Sequence, residues 1–155
     1  MFDKIGDMPL HPLVIHAAVV GIPLAALLGI LFVIPKTRNW ARWPLALAAV
    51  GATAACLVSK ESGEAFERMR NITADNPVGV LIAQHSQLAD QLSKIMIGFA
   101  VIALANVFVV SRTRRGPIVL ILGVLLIAAS VMAGIWVFRV GDIGARAVWN
   151  PTGQG

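Results

Sequence analysis

Long apolar runs dominate the chain and predict membrane spans. The first run, from Leu13 to Ile34, contains no charged residue. As a helix it would be about 33 Å long at roughly 1.5 Å per residue, which is enough to cross the hydrocarbon of a bilayer. We place four spans at about residues 12–34, 44–59, 92–111 and 117–138. The pattern therefore predicts an all-α protein, a four-helix transmembrane bundle that forms one integral membrane domain over residues 1–155.

The third helix is expected to begin well before its span. Asn76-Pro77 is a helix-start signal, and from Val78 onward the apolar residues follow a helical period. The same period places His85 on the buried stripe. We therefore predict a long third helix that begins near residue 78 and protrudes from the membrane. The polar segment 60–76 has charged residues at helical spacing, which predicts a short surface helix outside the cell.

The composition supports a membrane protein and argues against nucleic-acid binding. The chain is 57% hydrophobic and 14% charged, with a mean hydropathy of +0.79, whereas a soluble domain has about a quarter of its residues charged. The net charge is +5. Its basic residues lie in short connections between apolar runs and are not interleaved with aromatic residues, so no nucleic-acid surface is indicated.

The distribution of charge predicts the orientation. The two short loops, 35–43 and 111–116, contain six Lys and Arg residues and no acidic residue, while all eight acidic residues lie on the other side. Basic short loops stay in the cytoplasm. We therefore expect a multi-pass protein of the cell membrane with both termini, the 60–76 segment and all three histidines outside.

The histidines are the candidate ligands. Counting helix rise from the basic loops puts His11, His85 and Asp142 near one level at the outer face, with His16 one to two turns deeper. Histidines on two helices of a bundle suit ligation of haem b, by His85 together with His16 or His11. The rival interpretation is a divalent metal site formed by His85, His11 and Asp142.

Each histidine also has a structural interpretation, as a capping or packing residue near the membrane interface. His11 in particular can be the entry residue before Pro12. His11 and His16 would point about 140° apart on a helix, which disfavours ligation of one ion by both. His85 is the strongest candidate because it lies on the buried stripe.

Catalytic patterns are missing from the sequence. The central parts of the predicted spans contain no Asp, Glu, Lys or Arg, so a proton pump or an ion-coupled transporter is not indicated. The sequence has no nucleophile elbow, no phosphate loop and no paired-carboxylate pattern. We expect no catalytic activity of the chain on its own.

Four short motifs carry a resemblance to a known family. They are HPLVIH at the start of the first span, SGEAF in the polar segment, AQHSQLAD before the third span and GDIGARAVW near the end. Over nearly the whole chain they resemble DUF2231, a bacterial family of predicted four-span membrane proteins of unknown function. The resemblance implies a small four-helix membrane module. Some relatives are fused to or encoded beside Rieske or cytochrome modules, which implies respiratory electron transfer.

The resemblance also implies ligand positions. The first-span histidines of the family correspond to His11 and His16, and the third-span histidine corresponds to His85. The chain departs from the family where Gly141-Asp142 replaces a Gly-His motif and where Ala17-Ala18 replaces Phe-Pro. If the terminal histidine is a ligand in relatives, this chain uses Asp142 instead or has lost the site.

The leading hypothesis is an electron-transfer or respiratory accessory protein that holds haem b near the outer face, with the lipid bilayer and redox membrane proteins as partners. The first alternative is a cofactor-free structural or assembly subunit of a larger membrane complex. Small-residue helix faces would then support homo- or hetero-oligomers, as in the row Ala17, Gly21, Ala25 and Gly29. The second alternative is a metal-binding protein of the outer face.

Overall fold

Four long helices make up the fold. The computed structural model describes residues 4–5, 8–70, 75–113 and 116–150. All four helices are long and apolar enough to cross a membrane, which confirms the predicted all-α transmembrane bundle. The elements are β1 (Lys4–Ile5), β2 (Met8–Pro9), α1 (Leu10–Val33), α2 (Arg38–Arg70), α3 (Pro77–Arg112) and α4 (Pro117–Trp149). The two-residue strands β1 and β2 pair antiparallel just before α1.

The helices form two hairpins. The most extensive contacts join α1 to α2, the first hairpin, and α3 to α4, the second hairpin. Contacts of α2 with α3 and of α1 with α4 close the ring. Around the bundle the order is therefore α1, α2, α3, α4, which puts α1 and α3 on one diagonal. We call the end where α1 begins and α4 ends the terminal end, and the opposite end the loop end.

The packing is that of a bundle immersed in lipid. The interior is filled by fully buried apolar side chains such as Ile22, Leu45, Phe99 and Leu126. Large apolar side chains also lie on the outside of every helix, at fractional exposures of 63–75% for Val20, Leu47, Val101, Leu120 and Phe138. A water-soluble monomer rarely exposes such continuous apolar surface, and in a membrane it contacts lipid.

Three helices are longer than their apolar runs. The structure shows α2 continuing unbroken to Arg70, so the start of the 60–76 segment is an extension of the second helix. Ion pairs one turn apart stabilise this extension, with Lys60 Nζ 2.7 Å from Glu64 and Arg68 3.8 Å from Glu64. At 33 to 36 residues, α2, α3 and α4 are each about 50 Å long, longer than the hydrocarbon is thick.

The predicted basic loops are shorter than expected. Residues 38–43 of the first one belong to α2. Arg38, the first residue of α2, also caps the end of α1, where its Nη2 donates to Val33 O at 3.1 Å. Residues 114–115 of the second loop and residues 71–74 of the 60–76 segment lie outside the described residues. The third helix begins at Pro77, where Asn76 Oδ1 accepts from Gly79 N at 2.8 Å.

Candidate functional site

His11 is the second residue of α1 and packs against α2 at the terminal end. Its Nδ1 lies 3.0 Å from the carbonyl oxygen of Ser59 and 3.3 Å from Ser62 Oγ, and the ring is half-buried. Because a carbonyl only accepts hydrogen bonds, Nδ1 carries the proton. In the neutral imidazole, Nε2 then carries the lone pair.

His85 repeats this geometry between the other two helices. Its Nδ1 lies 3.0 Å from the carbonyl oxygen of Val140 on α4, and the ring is again half-buried. The same argument makes Nδ1 the donor and Nε2 the lone-pair nitrogen. In each hairpin, one histidine is thus oriented by a backbone carbonyl of the partner helix.

A glycine lies beneath each histidine ring. A Cβ atom on Gly63 would be 3.1 Å from His11 Cε1, and a Cβ atom on Gly144 would be 3.0 Å from His85 Cε1. Such distances are shorter than ordinary van der Waals contact. Any larger residue would therefore crowd the ring.

The glycine and the carbonyl belong to one helical turn. Gly63 follows Ser59 by four residues and Gly144 follows Val140 by four, so each pair stacks on one face of its helix. We call this arrangement a histidine seat. The first seat comprises His11, Ser59 and Gly63, and the second comprises His85, Val140 and Gly144.

The two seats lie at one level of the bundle. Cys56 of α2 and Ser93 of α3 are in contact at 3.8 Å between Sγ and Oγ. From this contact toward the terminal end, Gly63 is seven residues along α2 and His85 is eight residues along α3. These steps correspond to roughly 10 Å and 12 Å of helix rise. The two seats therefore lie at a similar level of the bundle, on helices α1 and α3 that are diagonally opposite.

His16 and Asp142 are placed differently. His16 is exposed on α1, about 7 to 8 Å deeper than His11 by helix rise. Asp142 accepts from Arg146 at 2.9 Å, and its position on α4 is about 160° from that of Gly144. Within the described residues, no group of three or more His, Cys, Asp and Glu side chains could hold a metal ion. The set of His85, His11 and Asp142 is therefore not assembled.

The surroundings favour the neutral form of His11, and a buried hydroxyl lies beside it. Burial lowers the pKa of His11 below its ordinary value, more than the hydrogen bond to the Ser59 carbonyl raises it. Ser62 Oγ donates to the same carbonyl at 3.0 Å. In the part of the chain that the structure describes, Ser59 Oγ is buried with no hydrogen-bond partner. The first seat thus presents neutral nitrogen and hydroxyl groups beside the bundle interior.

Sequence reasoning singled out the histidines as candidate ligands and missed the groups that hold them. It ranked His85 first, and it gave His11 an equally simple interpretation as an entry residue. The carbonyls of Ser59 and Val140 leave no signal in a sequence, because every residue has a carbonyl. A signal did exist for Gly63 and Gly144, which lie in the SGEAF and GDIGARAVW motifs.

The two seats can act as a ligand site because Nε2 of each histidine carries a lone pair. Histidines that ligate metals or haem usually donate their second ring N–H to a carbonyl or carboxylate, which fixes the tautomer and strengthens the ligating nitrogen. Both histidines have such a donor bond. Two Nε2 lone pairs at one level suit a ligand that takes one imidazole from each side.

Comparison with known proteins agrees with this fold. The model of the DUF2231 family, described as predicted membrane protein, matches residues 7–153, a range that includes both seats. No curated protein and no solved structure matched the chain. The resemblance seen in the sequence motifs is confirmed by the family match. The chain therefore belongs to the DUF2231 family of predicted membrane proteins.

Proposed function

We propose that this membrane protein binds one haem b through Nε2 of His11 and Nε2 of His85 and serves in electron transfer. The observation that carries the proposal is the pair of histidine seats at one level, on helices that lie diagonally across the bundle. Bis-imidazole ligation from facing helices is an established way to hold haem in a four-helix bundle.

Each part of a seat has a role in this proposal. The carbonyls of Ser59 and Val140 accept from Nδ1, which orients each ring and raises the donor strength of Nε2. Gly63 and Gly144 let the rings lie close to the helix backbone. Buried Leu92 and Met96, about two and three turns deeper than His85 on α3, supply apolar surroundings. Bound haem would supply one-electron transfer, with a potential set by these ligands and their burial.

The number of ligands favours haem over a bare metal ion. A porphyrin supplies four nitrogens, so two imidazoles complete the coordination of its iron. Structural zinc takes four protein ligands and catalytic zinc takes three. The described residues assemble only pairs of suitable side chains, and Asp142 is already paired with Arg146.

An absorption spectrum tests the proposal. The protein would be expressed with ample haem, purified in detergent and measured oxidised and after reduction with dithionite. We expect a Soret band, a sharp α band on reduction and one haem per chain, with metal analysis finding iron at the same ratio. Stoichiometric zinc or non-haem iron without a Soret band would refute haem and support the metal-binding alternative.

A cofactor-free structural role is the second candidate, and one observation favours it. The hydrogen bonds of His11 and His85 join α1 to α2 and α3 to α4, so they would stabilise the hairpins even without a ligand. The small-residue row of α1 is used within the chain, since Gly21 packs on Ala52 and Gly29 packs on Ser130. In a purely structural protein, alanine at either histidine would lower stability and no chromophore would be present.

We further infer that the terminal end, with both seats, faces the outside of the cell. The basis is the density of Lys and Arg at the loop end, where Lys36, Arg38, Arg42 and Arg112 lie in or beside short connections. Reporter fusions at Thr113 and at the C-terminus test this orientation. A cytoplasmic signal at Thr113 and an external signal at the C-terminus are expected, and the reverse pair would refute it.

A further inference from the structure

A groove runs between α3 and α4 on the face of the second hairpin, separate from the two seats. Its volume is about 320 Å³, which lies within the range of small-molecule sites. The lining residues are Gln84, Gln87, Leu88, Gln91, Phe138, Arg139, Asp142 and Ile143.

The polar groups of the groove are held in place by neighbours. Trp136 Nε1 lies 3.0 Å from Gln91 Oε1. Because an indole N–H only donates, the Gln91 amide must present its oxygen to Trp136, which leaves its NH₂ group for a ligand. The guanidinium of Arg139 lies over the same indole ring, 5.0 Å from its centre. Trp136 therefore positions two hydrogen-bond donors, the NH₂ group of Gln91 and the guanidinium of Arg139.

The groove also contains an acceptor and an apolar surface. The Asp142 carboxylate accepts from Arg146 at 2.9 Å and has further lone pairs. Leu88, Phe138 and Ile143 supply apolar contact. Phe138 is 75% exposed, so the apolar side of the groove continues into the lipid-facing surface of α4. A ligand with a flat ring, oxygens that both accept and donate, and an apolar tail matches these features.

We propose that this groove binds the headgroup of a membrane quinone. The quinone oxygens accept from Gln91 and Arg139, and the hydroxyl of the reduced quinol donates to Asp142. The ring lies against Leu88 and Ile143, and the tail leaves past Phe138 into the bilayer. A phospholipid phosphate offers acceptors to Gln91 and Arg139, but it has no flat ring for Leu88 and Ile143 and no hydroxyl hydrogen for Asp142.

The test uses the full-length protein in lipid nanodiscs, without haem, and a short-chain benzoquinone as the probe. Quinones quench tryptophan fluorescence, and Trp136 lies at the groove. We expect quenching that saturates with quinone concentration and that Trp136→Phe removes. Quenching of the other tryptophans, which rises linearly with quinone concentration, should remain. Gln91→Glu keeps an acceptor for Trp136 and removes the NH₂ donors, so it should weaken quinone binding at least tenfold without loss of the fold.

Arg139→Leu should weaken binding by a similar factor. The matched controls are Arg112→Leu and Asn39→Leu, which change exposed side chains at the loop end and should leave the affinity unchanged. Circular dichroism would confirm that each variant keeps its helices.

Two results would overturn the proposal. One is an equal quinone affinity of the wild-type protein and Gln91→Glu. The other is a co-purified phospholipid, seen by native mass spectrometry, that Arg139→Leu loses and that the benzoquinone does not displace, since this would assign the groove to a phosphate headgroup. The assay requires no haem, so its failure would leave the haem proposal standing.

Discussion

The two hairpins build the same histidine seat from different sequences. In the first hairpin, the histidine comes from the HPLVIH segment and the glycine from SGEAF. In the second, they come from AQHSQLAD and GDIGARAVW. The shared feature is a carbonyl and a glycine one helical turn apart, facing a histidine on the antiparallel partner. The repeat is therefore one of geometry, and no repeat is visible in the sequence.

The hairpins differ in how each seat is supported. His11 lies in the first turn of α1, and Ser62 Oγ at 3.3 Å supplements its bond to the Ser59 carbonyl. His85 lies inside α3, more than two turns from its start, and among the described residues only the carbonyl of Val140 is hydrogen-bonded to its ring. The first seat depends on polar contacts near a helix end, whereas the second depends on the packing of two continuous helices.

The largest expected effect comes from filling a seat. Gly63→Ala and Gly144→Ala each place a Cβ about 3 Å from a histidine ring, and such overpacking typically costs about 1–3 kcal/mol. The better helix propensity of alanine offsets up to about 1 kcal/mol of this. We expect a net loss of stability at both positions, larger at Gly144, because His85 lies inside α3 whereas His11 lies in the first turn of α1. Thermal unfolding in detergent measures the difference.

Two glycines on the same helices provide the controls. Gly51 on α2 and Gly141 on α4 have open space where a Cβ would be. Gly51→Ala and Gly141→Ala should therefore leave stability unchanged or raise it by up to about 1 kcal/mol. If Gly144→Ala raised stability as Gly141→Ala does, the close contact between His85 and α4 would be refuted.

A smaller effect is expected at the loop end of the second hairpin. Buried Asn106 Nδ2 donates to Ile102 O at 3.0 Å and to Leu122 O at 2.9 Å, which joins α3 to α4. Interhelical hydrogen bonds in membranes contribute about 0.6 kcal/mol on average. Asn106→Leu should lower stability by about that amount and leave haem binding unchanged. A stability loss of several kcal/mol, or a loss of haem binding, would show that the Asn106 hydrogen bonds and the second seat are coupled.

The smallest effect concerns pH and the first seat. Folding lowers the pKa of His11, so below its ordinary value of about 6.5 the unfolded state binds more protons and stability falls. His11→Gln removes this contribution. The unfolding temperature of the cofactor-free wild-type protein should therefore drop more between about pH 7.5 and pH 5.5 than that of His11→Gln. Equal drops would show that His11 is not desolvated as the structure indicates.

The bundle could be predicted because its signal is local. Apolar runs without charge identify four spans, and Asn76-Pro77 identifies the start of α3. The ends of α2 and α4 could not be predicted from hydropathy, since both helices continue into polar sequence. Their polar turns are supported by ion pairs such as Lys60 with Glu64 and Asp142 with Arg146.

The site could be predicted only in part, because it depends on how helices rotate against each other. Helix rise correctly put His11 and His85 near one level and His16 deeper. It could not show that Asp142 turns toward Arg146 and the α3–α4 groove. Nor could it show that His11 faces α2, since the direction of a side chain at the first turn of a helix depends on its partner.

Haem stoichiometry in three histidine variants is the most direct test of haem ligation by His11 and His85. His11→Ala and His85→Ala each remove one proposed ligand, while His16→Ala removes an exposed histidine of the same span and serves as the matched control. Haem per chain would be measured after reconstitution of folded, cofactor-free protein. We expect one haem per chain for the wild type and His16→Ala, and loss of the six-coordinate spectrum for the other two variants. An unchanged spectrum in His11→Ala or His85→Ala would contradict it.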